Sequence, residues 1–162
     1  MKQTNNIIRK TLQQSKKVAL MLALLLTVGI SYSFAAPSDE ISIDVKASFR
    51  KDFKGAQLIN TEVKKVYTKL TFTMHDVVFS AFYSDNGELL AVTRNILSSQ
   101  LPVNLMLSLK NNYSAYWITE LFELNGGDQT SYYVSLESAD QKLTLRSTDG
   151  NNWEVYQKTA KN

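Results

Sequence analysis

No cysteine occurs in the 162 residues, there is a single histidine, and proline and glycine number only two and six. Without thiols the chain can form neither disulfides nor thiolate metal sites, which excludes the small disulfide-dense secreted scaffolds. With one imidazole, His75, a nucleophile-base pair has few ways to assemble. His75 stands beside Asp76 between two β-patterned segments, where a tight turn accounts for short polar residues, and no Gly-x-Ser-x-Gly motif accompanies it. No catalytic residue is assigned, and an acid-base pair of His75 with Asp76 stays as the alternative. The carboxylates offer no helical ligand pair for a metal. Asp85-Asn86-Gly87 and Asp149-Gly150-Asn151-Asn152 lack the other ligands and the closing glutamate of a calcium loop. Glycine-rich phosphate cradles are absent as well, so neither metal nor cofactor is expected.

Acidic residues are missing from the first seventeen positions, where Lys2, Arg9, Lys10, Lys16 and Lys17 supply all the charge. An apolar run over residues 18–30 follows, and then the more polar Ser31-Tyr32-Ser33-Phe34-Ala35-Ala36. Small side chains at Ser33 and Ala35 suit the −3 and −1 positions of a signal peptidase site, which places a signal peptide over residues 1–35 and a single domain over 36–162. The alternative is an uncleaved anchor over residues 18–35, at the lower limit for spanning a bilayer. No cysteine follows the apolar run, so lipid attachment through a thiol is excluded. The expected product is periplasmic or secreted, with no stable membrane insertion after cleavage.

The leader also carries the basic excess. Setting aside its five basic residues leaves 13 Lys and Arg against 15 Asp and Glu, a net charge of about −2. The whole-chain isoelectric point near 9.0 therefore does not describe the domain, and nucleic acid is excluded as a partner.

Within the domain, Val45, Phe49 and Phe53 recur every four residues and predict a helix over residues 44–54, capped by Asp44 and stopped by Gly55. β composition follows over residues 57–63, 66–74, 77–84 and 88–94, with Asn86-Gly87 as a hairpin signal. Ser98-Ser99 and Pro102 open a second helix, whose apolar face is read as Val103, Met106, Leu107 and Leu109. Four further β segments cover residues 115–124, 131–137, 142–147 and 153–157. The order repeats, suggesting an internal duplication. The fold class predicted is α+β: two αβββ-type halves, an antiparallel sheet with both helices packed on one face and the other face open to water.

Several segments carry a family likeness: Phe49-Arg50-Lys51-Asp52-Phe53, the Phe82-Tyr83-Ser84-Asp85-Asn86-Gly87 hairpin, Leu101-Pro102, Tyr113, Tyr132-Tyr133-Val134 and Asp149-Gly150. In these the chain resembles the PepSY-like family of small bacterial envelope proteins, whose fold is similar to β-lactamase-inhibitor proteins. The resemblance implies that fold and, by the family name, inhibition or modulation of a peptidase.

Strand alternation selects the residues of the open face. With Leu70, Phe72 and Met74 toward the helices, Tyr67 faces out. With Tyr116, Ile118 and Phe122 inward, Trp117 and Leu121 face out. Tyr132, Val134 and Leu136 inward leave Tyr133 outside, and Trp153 with Val155 inward leave Tyr156 outside. Tyr67, Trp117, Tyr133 and Tyr156, with Lys142 and Arg146 to orient an acidic group, form a candidate site for an unknown protein or peptide partner in the cell envelope. The competing account is that these aromatics only pair across strands. On the binding account the protein is a non-enzymatic module; the alternatives are an envelope enzyme or a structural envelope protein.

Overall fold

The computed structural model describes residues 41–161, so the leader and its cleavage site lie outside the described residues. Helix α1 (Ile43–Asp52) begins where the Ser42 hydroxyl accepts from the Val45 amide at 3.3 Å; Ser42, and not Asp44, is the cap. Four strands follow: β1 (Gln57–Lys64), β2 (Tyr67–Met74), β3 (Val77–Tyr83) and β4 (Leu89–Asn95). A 3₁₀ turn at Ser98–Gln100 leads into α2 (Val103–Asn112), with Pro102 as its cap residue. The chain ends in β5 (Trp117–Gly126), β6 (Gln129–Glu137), β7 (Gln141–Ser147) and β8 (Glu154–Ala160).

All eight strands join one antiparallel sheet in sequence order, β1 to β8. This corrects the expected architecture. Among the described residues strands outnumber helices eight to two, each helix is followed by four strands and not three, and the sheet runs on through the β4–β5 pairing of Val92–Asn95 with Phe122–Asn125. The domain is therefore mostly β and does not divide into two αβββ halves. Short turns between successive strands make a meander the natural outcome, because an antiparallel neighbour needs only a hairpin.

Both helices lie on one face. Val45 and Phe49 of α1 pack on Leu70, Phe72, Ala81 and Tyr83, and Leu105 and Leu109 of α2 pack on Leu121, Val134, Leu136, Leu143 and Leu145. The apolar stripe of α2 is thus Leu105 and Leu109, with Leu101 preceding them, whereas Val103, Met106 and Leu107 are exposed. Two polar contacts pin the helices to the sheet: the buried Tyr83 hydroxyl donates to Asp52 at 3.0 Å, and the Trp153 indole N–H donates to the Leu105 carbonyl at 3.0 Å.

The opposite face is not simply open. Tyr67, Phe82, Ala91, Phe122, Leu124 and Tyr133 form a second apolar cluster with no helix over it among the described residues, yet each is only 1–8% exposed. With no covering layer among the described residues, this burial points to a sheet that curves over its own face. The curvature has a local source: strand-to-strand twist of about −20 to −25° accumulates across eight strands, and register shifts break the β1–β2, β3–β4, β5–β6 and β7–β8 ladders, each increasing the twist. The face is a concave trough with an aromatic floor.

Candidate functional site on the concave face

The six residues singled out from the sequence all lie on this side of the sheet, in two groups. Along one cross-strand row the pairing runs Asn95, Phe122, Tyr133, Arg146 and Glu154 through β4 to β8. Phe122 and Tyr133 stack at 5.2 Å between centroids, and Tyr156, in the bulge of β8, stands perpendicular to Tyr133 at 6.0 Å. The Arg146 guanidinium lies 5.4 Å from the centre of the Tyr156 ring and pairs with Glu154 at 3.1 Å. Its Nε is buried and has no hydrogen-bond partner. Burial pushes the Tyr133 hydroxyl up to about 12, against the opposing pull of Arg146.

Tyr67 belongs to the same floor at the other end. It packs edge-on against Phe82 at 5.6 Å, and burial together with the nearby Glu62 charge raises its hydroxyl pKa. Glu62 itself pairs with Lys69 at 2.9 Å across β1 and β2. Tyr67 and Tyr133 are therefore floor residues, sealed by the curvature that the two-residue period could not reveal.

A second row forms the rim, pairing Trp117, Glu137, Lys142 and Thr159 across β5 to β8. It lies four residues from the Tyr133 row on β6, about 13 Å at the strand rise. Glu137 pairs with Lys142 at 3.5 Å and with Lys161, and the Lys161 hydrogen bond, reinforced by Lys142, holds its carboxyl below the usual range. Trp117, 60% exposed, stands in this row with its ring in solvent.

Sequence reasoning misplaced the strand that carries Trp117. A register shift between Ile118 and Glu120 leaves Thr119 as an extra residue, its hydroxyl donating to the Ser135 carbonyl at 3.2 Å. Beyond it the faces exchange, so Leu121 enters the helix-side core and Phe122 the trough, the reverse of the expected alternation. Val155, expected inward, is exposed on the edge strand. Phe82, Phe122, Leu124 and Glu154 complete the site and were not foreseen; no motif in the sequence marks the bulge that brings Phe122 in.

His75 and Asp76 form the two-residue β2–β3 turn, both with positive φ (51° and 62°), and His75 makes no hydrogen bond among the described residues. Among the described residues no three His, Cys, Asp or Glu side chains converge, and no helix is long and apolar enough to cross a membrane.

The fold is shared with solved bacterial structures. A DUF2874 family protein from Bacteroides uniformis superposes with a TM-score of 0.63 at 14% identity, covering 78% of this chain and 90% of that one. A protein from Bacteroides eggerthii, named as a candidate periplasmic protein, matches with the same score, identity and coverage. A BLIP-like protein from Bacteroides fragilis matches with a TM-score of 0.61 at 16% identity, covering 79% and 89%. The β-lactamase-inhibitor-like fold is therefore established, while identities this low carry fold alone. No family model and no curated protein matches the sequence, so membership of the PepSY-like family is not shown.

Proposed function

We propose that this chain is an exported, non-enzymatic binding module of PepSY-like type, which seats a protein or peptide partner in the concave face of its sheet and modulates that partner, a peptidase by the family resemblance. The observation that carries the reading is the exposed Trp117 ring on the rim row with Glu137 and Lys142. Exposed tryptophan beside a preformed trough supplies large contact area at low entropic cost. The basic leader and apolar run support export, as does the name of the Bacteroides eggerthii neighbour.

The test separates binding from packing. Phe72 is fully buried among Phe49, Phe53 and Phe79, and Phe72→Ala is expected to lower stability by about 3–5 kcal/mol. Trp117→Ala is expected to cost at most about 1 kcal/mol of stability, yet weaken binding of a partner captured from envelope extract by about 2 kcal/mol. Undiminished affinity in Trp117→Ala, measured on the captured partner by calorimetry, refutes the proposed anchor.

A further inference from the structure

On the opposite side of β5 from Trp117, a cleft of about 310 Å³ opens between the C-terminal half of α2 and the start of β5. Its walls are apolar: Met106 and Leu109 from α2, Tyr113 and Tyr116 from the linker, Ile118 from β5 and Leu136 from β6. The Tyr113 and Tyr116 rings meet edge-on at 6.1 Å, and the Tyr116 hydroxyl is engaged by the Gln141 side-chain amide, which holds that wall in place. Met106 and Ile118 remain substantially exposed, although the core beneath them is closed by Leu109 and Leu136. A mostly apolar lining with a few polar groups at its margin is the kind of surface that takes a small ligand with one apolar part.

Charge narrows the ligand. Lys110 is the sole charged residue of the lining, no carboxylate stands there, and Lys110 makes no ion pair among the described residues. Ser98 and Ser114 complete the lining with hydroxyl groups. At about 310 Å³ the cleft stands at the small end of the range of ligand pockets. We infer that this cleft binds a small amphiphile with one anionic head, set against Lys110, and a short apolar body, between Met106 and Ile118.

Methionine supplies a local probe, because the chain has four methionines and Met74 packs, partly buried, against the core cluster under α1. The full chain, expressed with methyl-labelled methionine and purified, is titrated with octanoate below its micellar concentration while the methyl resonances are followed. The Met106 methyl is expected to shift saturably and the Met74 methyl to stay. Octylammonium, the same body with the opposite head, is expected to bind at least tenfold more weakly, and Lys110→Glu is expected to reverse that order. Ile118→Glu, on a side chain already in partial contact with water, is expected to abolish the shift with folding intact by circular dichroism. Trp117→Ala, on the concave face, is expected to leave octanoate binding unchanged, so this site stands or falls separately from the partner site. No saturable Met106 shift, equal binding of the two heads, or insensitivity to Lys110→Glu overturns the assignment.

Discussion

Gly87, in the β3–β4 turn, sits against the first turn of α1 so closely that a Cβ there would lie 2.8 Å from the Asp44 carbonyl oxygen. The Ser48 hydroxyl would stand 2.9 Å away, and Gly87 has a φ of +76°. Two separate constraints thus demand glycine, one from backbone strain and one from helix contact. The contact locks the hairpin to α1, an attachment the Ser42 hydroxyl strengthens by donating to the Asp85 carbonyl at 3.0 Å.

Gly87→Ala is expected to lower stability by about 2–4 kcal/mol, combining roughly 1–2 kcal/mol of left-handed strain with the displacement of a packed helix. Gly55 is the control, since its φ is +84° and nothing lies within 4 Å of its missing Cβ. Gly55→Ala is expected to cost the strain alone, about 1–2 kcal/mol. Equal losses in urea denaturation would mean that the helix contact contributes nothing.

The β2–β3 turn presents the reverse case, positive φ held by two residues that carry a Cβ. His75 and Asp76 both adopt positive φ in a two-residue hairpin, where Asn-Gly is the favoured pair. Replacing them together, His75→Asn with Asp76→Gly, is expected to raise stability by about 1 kcal/mol and the thermal midpoint by several degrees. The same double variant tests the enzyme alternative: if His75 and Asp76 formed an acid-base pair, any activity would vanish while stability rose. Unchanged partner capture with a higher midpoint is the expected result.

How far the sequence disclosed the molecule depended on whether a local pattern was interrupted. Uninterrupted alternation in β2 and β6 placed Tyr67 and Tyr133 on the correct face, and all eight strands and both helices were legible from periodicity and turn residues. In β5 the extra residue Thr119 reversed everything after it, because a bulge is a property of two paired strands and leaves no signature in one. For α2, the stripe Leu101, Leu105 and Leu109 was present at four-residue spacing, but Val103, Met106 and Leu107 offered a competing face of equal hydrophobicity. The burial of Tyr67 and Tyr133 was illegible for a different reason, since the curvature that seals them sums over many strands. That sum also closed over part of a face expected to stand open to water.

The Asp149 carboxylate organises the β7–β8 turn by accepting from the Asn151 and Asn152 amides at 2.8 and 2.9 Å, the Asn152 side chain at 3.0 Å and the Ser147 hydroxyl at 3.0 Å. The backbone amides of Asn152 and Asn151, followed by the Asn152 side chain, hold its carboxyl well below the usual carboxylate range. The turn delivers Trp153 to its hydrogen bond with Leu105, so the ionised carboxylate is linked through three residues to the docking of α2. A depressed folded-state pKa means that this stabilisation is fully present above the ordinary aspartate pKa of 3.8 and is lost as the pH falls below it toward the folded value. Glu137, also depressed by Lys161 and Lys142, contributes to the same acid limb. Asp149→Asn keeps one acceptor oxygen but removes the charge. It is expected to lower the thermal midpoint at pH 7 and to make the further decline below pH 4 shallower than in the wild type, with the remaining slope carried by groups such as Glu137. Midpoints recorded from pH 7 down to pH 2 check this, and parallel acid limbs for the two proteins would show that the Asp149 charge does not stabilise the turn.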